Sequence, residues 1–557
     1  MESALFIFAV IGFYILYTSV LGKKACFFPL MFISSAVLVL YLAGVAGVLN
    51  VGYWIFITTG CLMIPVLLFF TGKDRIKKIP LTLADPVIVF MILGVIWIRF
   101  ITRDRGLSNP DDFSHWYRMC KVIFYDDSYP VTPEIGFSTY PPGTATWIYI
   151  VTKSFGFSIA NCFTAQAALN MASVSVLFAV LAKCKDKLKK VLLGICAAAS
   201  FVFLTSVAVS TLSLAVDGTL GMVALGCIVF IAETKFDEKK DVVSLILILS
   251  FLVMVKFSGL FFLAAALALF IALKKGKALS TILVAAIPVV LNLLYRIRNS
   301  FIYADISQSR QASSVERFLD LLNDKSPDLI QNVIKGVIVQ SVSFMSGYAQ
   351  VMLVWGVFFG FVLLIIFEKK KKPKFWFMYV FITYWVYVFF MILMYIFSMS
   401  VEEAEGLGSF YRYMGTIAIL VGGIFCYYML NKFTSEKMKC FYLAVALYLV
   451  IAVLGGHVLF NYDYLAGGDD YIPGDLWYDD AWNALAASSE ENTEYTEDSY
   501  LVIWNQRIWD GYFFPDFCKV DMMETFFRSK NIGFVISDDP SSVEVPEGEY
   551  DHIVVVM

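Results

Sequence analysis

The sequence predicts an all-α polytopic membrane protein of about fourteen transmembrane helices, followed by a small extracytoplasmic α/β domain. Three observations carry that prediction. The 557 residues are 59% hydrophobic and only 16% charged, with a mean hydropathy of +0.74. No soluble domain can hide so much apolar surface. The apolar residues come in runs that approach the ~20 residues needed to cross a bilayer. The net charge of −3 conceals an asymmetry: from Tyr462 to Met557 there are 21 acidic against 4 basic residues, a net of −17, so the rest carries +14 (39 basic minus 25 acidic).

The candidate spans, in order, are Ala4–Val20, Phe27–Leu49, Val51–Phe70, Ala84–Ile101, Ser158–Ala182, Val191–Val209, Gly218–Ala232, Val242–Val255, Gly259–Leu273, Leu279–Leu294, Met352–Phe367, Phe375–Phe397, Met414–Leu430 and Cys440–Phe460. Met-Glu-Ser lacks the basic start of a signal peptide, so the first run is expected to be a retained helix. Lysine placement decides whether Val242–Leu273 is one helix or two. With two, every second connection is short and lysine-rich: Lys23-Lys24, Lys73 to Lys78, Lys183 to Lys190, Lys235 to Lys240, Lys274 to Lys277, Lys369 to Lys374 and Lys432 to Lys439, holding 25 Lys/Arg together. Positive-inside bias then sets both termini outside, in a plasma membrane whose lysine-rich style suggests a bacterium. A single helix would flip everything downstream, and is rejected.

The chain divides into N-terminal helices (1–83), a membrane core (84–460) and an acidic extracytoplasmic domain (461–557). Outer loops at 102–157 and 295–351 are too long for plain connectors in a compact bundle. Within the tail, Tyr500–Trp504, Ile532–Ile536 and Ile553–Met557 read as strands around a helix at Asp521–Ser529. Of ten cysteines, most lie in apolar runs as small buried hydrophobes. Cys120 and Cys518 could face outside, without a predicted bridge. His457 and His552 have no metal-ligand spacing around them. The absence of Walker A, GxGxxG, GxSxG and HExxH leaves nucleotide, Rossmann and zinc-hydrolase chemistry without support.

Charged residues at the outer boundary stand out. Asn109-Pro110-Asp111-Asp112 suits a helix start, with Asp111, His115 and Arg118 at i, i+4 and i+7 on one face; the bland alternative is that Asp111 only caps the helix. Asp126 and Asp127 read as solvated loop charges, and Tyr140-Pro141-Pro142-Gly143 as a rigid turn back to the bilayer. Asp217 lies between two apolar spans, where a carboxylate is costly unless paired or wet; otherwise it is an interfacial residue at a tight turn. Lys256 interrupts an apolar run at a depth suited to an anion, or else snorkels. Arg296, Arg298, Asn299 and Arg412-Tyr413 sit on the side that positive-inside bias disfavours. Arginine's planar fork suits a lipid phosphate or pyrophosphate headgroup, the alternative being ordinary pairing with bulk lipid.

Taken in order, these residues resemble the GT-C glycosyltransferase superfamily, which includes the protein O-mannosyltransferases and the bacterial aminoarabinose transferase of lipid A. Asp111-Asp112 resembles its acidic pair, Tyr140-Pro141-Pro142 its Tyr-Pro-Pro tract, and Asp217 its second acidic position. Lys256-Phe-Ser258-Gly259 is similar to its Lys-x-x-Gly hairpin, Arg298-Asn299 to its Arg-Asn step, and Arg412-Tyr413 to its late Arg-Tyr. The likeness covers roughly 84–460. Three spans ahead of the acidic loop and the acidic tail lie outside the pattern.

The resemblance implies an inverting membrane glycosyltransferase that moves a sugar from a polyprenyl-phosphate carrier to an extracytoplasmic polysaccharide, lipid or protein of the cell envelope. Asp111, then Asp112, would be the base. Asp217 would orient the acceptor or share a divalent metal with that pair, and metal use stays open. Arg298 and Arg412, with Lys256, would hold the phosphate, and His115, Arg118, Arg296, Asn299 and Tyr413 would line the substrate. Neither a nucleotide, an organic cofactor nor a nucleic-acid partner is expected. The competing classes are a transporter or flippase of a lipid-linked saccharide, a polysaccharide polymerase or ligase, and a non-enzymatic assembly protein.

Overall fold

The computed structural model describes residues 1–76, 85–103, 107, 111–131, 139–208, 213–273, 278–302, 315–343, 348–368, 371–435, 440–460, 499–505, 531–537, 539–543 and 548–556. The helices are α1 (Glu2–Ile15, prolonged by a π turn, Leu16–Val20), α2 (Phe28–Val45), α3 (Leu49–Ile76), α4 (Pro86–Thr102), α5 (Tyr117–Asp126), α6 (Gly143–Phe155), α7 (Ile159–Val174), α8 (Lys187–Ala208), α9 (Val216–Glu233), α10 (Lys239–Val255), α11 (Gly259–Ala272), α12 (Ala278–Ile302), α13 (Val315–Asn323), α14 (Pro327–Val342), α15 (Ala349–Glu368), α16 (Lys371–Phe397), α17 (Val401–Glu405), α18 (Phe410–Phe433) and α19 (Phe441–Phe460).

Each of the fourteen apolar segments overlaps one of these helices, Ser158–Ala182 running on past α7 as a 3-10 helix, Ser175–Lys183. Among the described residues, ten helices are long and apolar enough to cross a membrane, while α4, α11 and Phe441–Val453 of α19 are shorter apolar helices. The break between α10 and α11 falls at Lys256–Ser258, where Lys256 leaves the helix in an extended conformation. The described residues of the segment 295–351 are largely helical. α12 runs on to Ile302, so Arg296, Arg298 and Asn299 occupy the last turns of a span instead of following it, and α13 and α14 come next.

Helices α7, α9 and α18 are the buried axis of the bundle, with almost all their residues screened from solvent. On α9 and α18 this burial runs around the whole helix, as an apolar core helix requires. α9 and α18 pack tightly because Gly221 faces the carbonyl oxygen of Thr416; a methyl group there would lie 2.5 Å from it. Gly221 is four residues below Asp217, and Thr416 four below Arg412, so one turn of each helix sets the two charged residues opposite one another.

In the tail, β1 (Ser499–Asn505), β2 (Asn531–Ser537) and β3 (His552–Val556) form a parallel sheet of order β2-β1-β3, with Tyr500 opposite Ile532 and His552. Central β1 buries Tyr500, Leu501, Val502 and Ile503. Parallel neighbours need crossover connections. The helix expected at Asp521–Ser529, together with Cys518, lies outside the described residues.

Candidate functional site

Four chain segments meet at one end of α9. Asp217, in its first turn, is buried with a side-chain exposure of 6%. One carboxylate oxygen accepts a hydrogen bond from Lys256 Nζ at 2.7 Å. The other lies 3.3 Å from Arg412 Nε, within ion-pair range but outside hydrogen-bond alignment. Arg412 also donates through Nη1 to Asp111. The guanidinium therefore bridges two carboxylates from distant parts of the sequence. Asp111 and Arg412 keep side-chain exposures of 34% and 25%, so the bridge is reachable from the protein surface.

Local structure explains each placement. Asp111 heads a helical segment but makes no side-chain capping bond. Its carboxylate is thus engaged with Arg412, and the capping alternative is set aside. Asp112–Trp116 is a π turn, not α-helix. The wider i→i+5 winding alters the expected i, i+4, i+7 face of Asp111, His115 and Arg118. His115 and Arg118 are both buried. His115 packs edge-on against Tyr140; burial, then the charge of Lys256, holds its imidazole well below its ordinary pKa, hence neutral. Asp112 is fully buried, and its Oδ1 accepts from the Leu214 N–H at 2.9 Å and the Ser213 hydroxyl at 3.3 Å. Burial pushes its carboxyl well above the usual range.

Lys256 is aimed by the gap between α10 and α11. Pro142 precedes α6, and Gly143 abuts the carbonyl of Met254, 2.5 Å from where a methyl group would sit. The Tyr-Pro-Pro-Gly turn thus braces the strand-like step that carries Lys256. Its ammonium stands over the rings of Tyr140 and Tyr413, at 5.8 and 5.3 Å. Burial pushes the Tyr140 hydroxyl up to about 12, against the opposing pull of Lys256. Tyr387, which the sequence reading left out, fixes the first turn of α18 by donating to the Tyr413 carbonyl at 2.9 Å.

The remaining predicted residues stand apart from the bridge. Arg298 donates to the carbonyls of Tyr129 (3.1 Å) and Pro130 (3.4 Å), and Asn299 donates to Thr139 O (3.2 Å). Both serve backbone carbonyls at 129, 130 and 139. Arg296 is exposed and stacks on Phe257, 4.2 Å from the ring centre, so the loop residue Phe257 stands between it and Tyr140. Asp127 is no plain solvated charge: in a left-handed conformation it ends α5 and is gripped by Lys153 (2.7 and 2.9 Å) and Tyr149 (2.6 Å). Asn109 and Pro110 lie outside the described residues. Ser213 and Leu214 were missed by sequence reading; a serine four residues before a membrane aspartate was the available signal.

A divalent ion shared by Asp111, Asp112 and Asp217 does not fit this arrangement. Among the described residues no group of three or more His, Cys, Asp or Glu side chains could hold a metal. Asp217 has both oxygens on cations, and the engaged oxygen of Asp112 faces Ser213 and Leu214.

No family model matches the chain, and no curated protein matches it. Among solved structures it is similar to ArnT from Cupriavidus metallidurans in the apo state, at 13% identity and a TM-score of 0.46, over 82% of this chain and 86% of that one. The form bound to undecaprenyl phosphate is similar at 12% identity and a TM-score of 0.46, over 82% and 87%.

Proposed function

We propose that this chain is a multi-pass membrane glycosyltransferase that moves a sugar from a polyprenyl-phosphate carrier to a hydroxyl acceptor on the extracytoplasmic face, with inversion. The observation that carries the proposal is the Arg412 bridge between Asp111 and Asp217, with Lys256 closing the other side of Asp217. A carboxylate and a guanidinium at a partly open membrane boundary supply the two groups this transfer needs, a proton acceptor and an anchor for phosphate.

The bridge also suggests an order of events. At rest Arg412 is occupied by Asp111. A phosphate arriving from the lipid side competes for the N–H groups of Arg412, with Lys256 adding positive charge, and so frees the Asp111 carboxylate. The acceptor hydroxyl oxygen then attacks the anomeric carbon from the face opposite the phosphate. Its proton passes to Asp111, and the electron pair of the breaking carbon–oxygen bond leaves with the carrier phosphate beside Arg412. Asp217 keeps both cations oriented throughout. In this scheme Arg298 and Asn299 hold the backbone at 129, 130 and 139, and Arg296 meets the lipid side of Phe257.

The test supplies a radiolabelled polyprenyl-phosphate sugar to the purified protein in detergent and in vesicles. Label transfer or slow hydrolysis is expected. Asp111→Asn abolishes it while insertion and carrier binding persist, and Arg412→Ala mainly weakens use of the carrier. Full activity in Asp111→Asn would remove the proposed base. Unchanged kinetics in Arg412→Ala would remove the phosphate anchor. Movement of intact label across vesicles, without transfer, would favour a transporter.

A further inference from the structure

We propose that Asp112 is a positioning residue, a clasp that fixes the segment carrying Asp217 to the outer helical turn carrying Asp111. This inference rests on the transferase reading for its kinetic consequences, but the clasp itself is a matter of structure. Two adjacent carboxylates diverge sharply here. Asp111 is one-third exposed and bonded to Arg412; Asp112 has an exposure of 0% and is bonded to the Ser213–Leu214 backbone region. Among the described residues no cation lies within ion-pair distance of Asp112, and its second oxygen is buried without a hydrogen-bond partner. A group so enclosed cannot receive a proton from a substrate hydroxyl.

What Asp112 does reach is informative. Leu214 is itself buried, so its N–H needs an acceptor inside the protein. Ser213 donates to Asp112 and accepts from the Ala215 N–H at 3.1 Å. Ala215 directly precedes α9, whose second residue is Asp217. Asp112 is therefore bonded to the chain three and four residues ahead of Asp217, while its neighbour Asp111 is bonded to the same arginine as Asp217. The two ends of the guanidinium bridge share a short covalent and hydrogen-bonded frame. Such a frame matters because misplacement by about 1 Å can cost about 100-fold in rate. The same burial that raises the Asp112 pKa makes an amide a fair replacement: its oxygen can accept the Leu214 N–H as the carboxyl oxygen does.

The experiment compares Asp112→Asn with Asp112→Ala in the full chain, reading backbone hydrogen exchange over residues 213–217 and consumption of a radiolabelled polyprenyl-phosphate sugar. The alanine variant should exchange about tenfold faster over 213–217 and lose about 10- to 100-fold in kcat/KM. Asparagine should restore both, with an unchanged pH profile. If alanine prevents folding, the asparagine variant alone decides. An Asp112→Asn protein with native exchange but activity as low as Asp111→Asn would overturn the proposal, since Asp112 would then act in the chemistry. Native exchange in Asp112→Ala would overturn it as well. Because exchange needs no substrate, a protein inactive towards this donor would count against the transferase reading and leave the clasp to be decided by exchange.

Discussion

Helix α9 carries a buried carboxylate at each end, and the two ends look alike until their partners are followed. At one end Glu233 accepts from Lys183 (2.5 Å), Lys24 (3.1 Å) and the hydroxyl of Tyr427 (2.7 Å). At the other, about 24 Å away by helical rise, Asp217 meets Lys256 and Arg412. Each acid has two cations. At the Glu233 end, however, both lysines are more than one-third exposed. Those side chains keep part of their surface open, and the cluster ties together the helix ends near Lys24, Lys183 and Tyr427. At the Asp217 end the cations are mostly buried, and one is shared with a second, partly open carboxylate. A saturated, water-facing cluster is a structural knot. A shared cation with an exposed partner is a place where a ligand can intervene.

Breaking each knot in turn tests that difference. Asp217→Asn leaves Arg412 with Asp111 alone and Lys256 without its carboxylate; it should cost about 3–5 kcal/mol of stability, measured by unfolding in detergent, and eliminate transfer. Glu233→Gln should cost far less, about 1 kcal/mol, because its lysines relax into water. Equal costs at the two ends would erase the distinction. Next in size, Gly221→Ala inserts a methyl group against the Thr416 carbonyl. It should destabilise by about 1–3 kcal/mol and lower transfer by shifting Asp217 relative to Arg412. Gly356→Ala, where a methyl group meets nothing within 4 Å, is the control and should be neutral or stabilising.

The pH dependence sharpens the comparison further. His115 belongs to the Asp217 end, and its folded pKa lies below the ordinary 6.5. The unfolded chain therefore binds its proton first, and stability falls as pH drops below about 6.5 towards the folded value. His115→Gln should remove that part of the acid sensitivity while leaving the contribution of the Glu233 end intact; identical pH–stability curves would refute it. The smallest effect concerns Lys183→Ala, expected at about 0–1 kcal/mol and weakened by salt, as for other exposed pairs. A large, salt-independent loss would show that this end is more enclosed than its exposure indicates.

Individual residues at the site were legible because membranes make them conspicuous. An ionisable side chain amid apolar runs, such as Asp217, Lys256 or Arg412, announces itself. Their partners were not legible. Nothing in the spacing of Arg298-Asn299 shows that both serve backbone carbonyls at Tyr129, Pro130 and Thr139. Nor does Asp111-Asp112 show which carboxylate turns inwards, because the π turn that begins at Asp112 departs from the α-helical spacing the sequence suggests.

Hydrophobic runs and composition determined a helical membrane body and a chemically separate acidic tail, and lysine placement pointed to the break at Lys256. Solvent transfer acts on each segment by itself and needs no knowledge of its neighbours. Only the tertiary structure decided that Arg412 joins Asp111 to Asp217, that Asp112 grips Leu214, and that Glu233 is already saturated. Those outcomes depend on helices separated by up to 301 positions in sequence coming within hydrogen-bond distance. Close packing, as at Gly221 and Thr416, is what sets that distance.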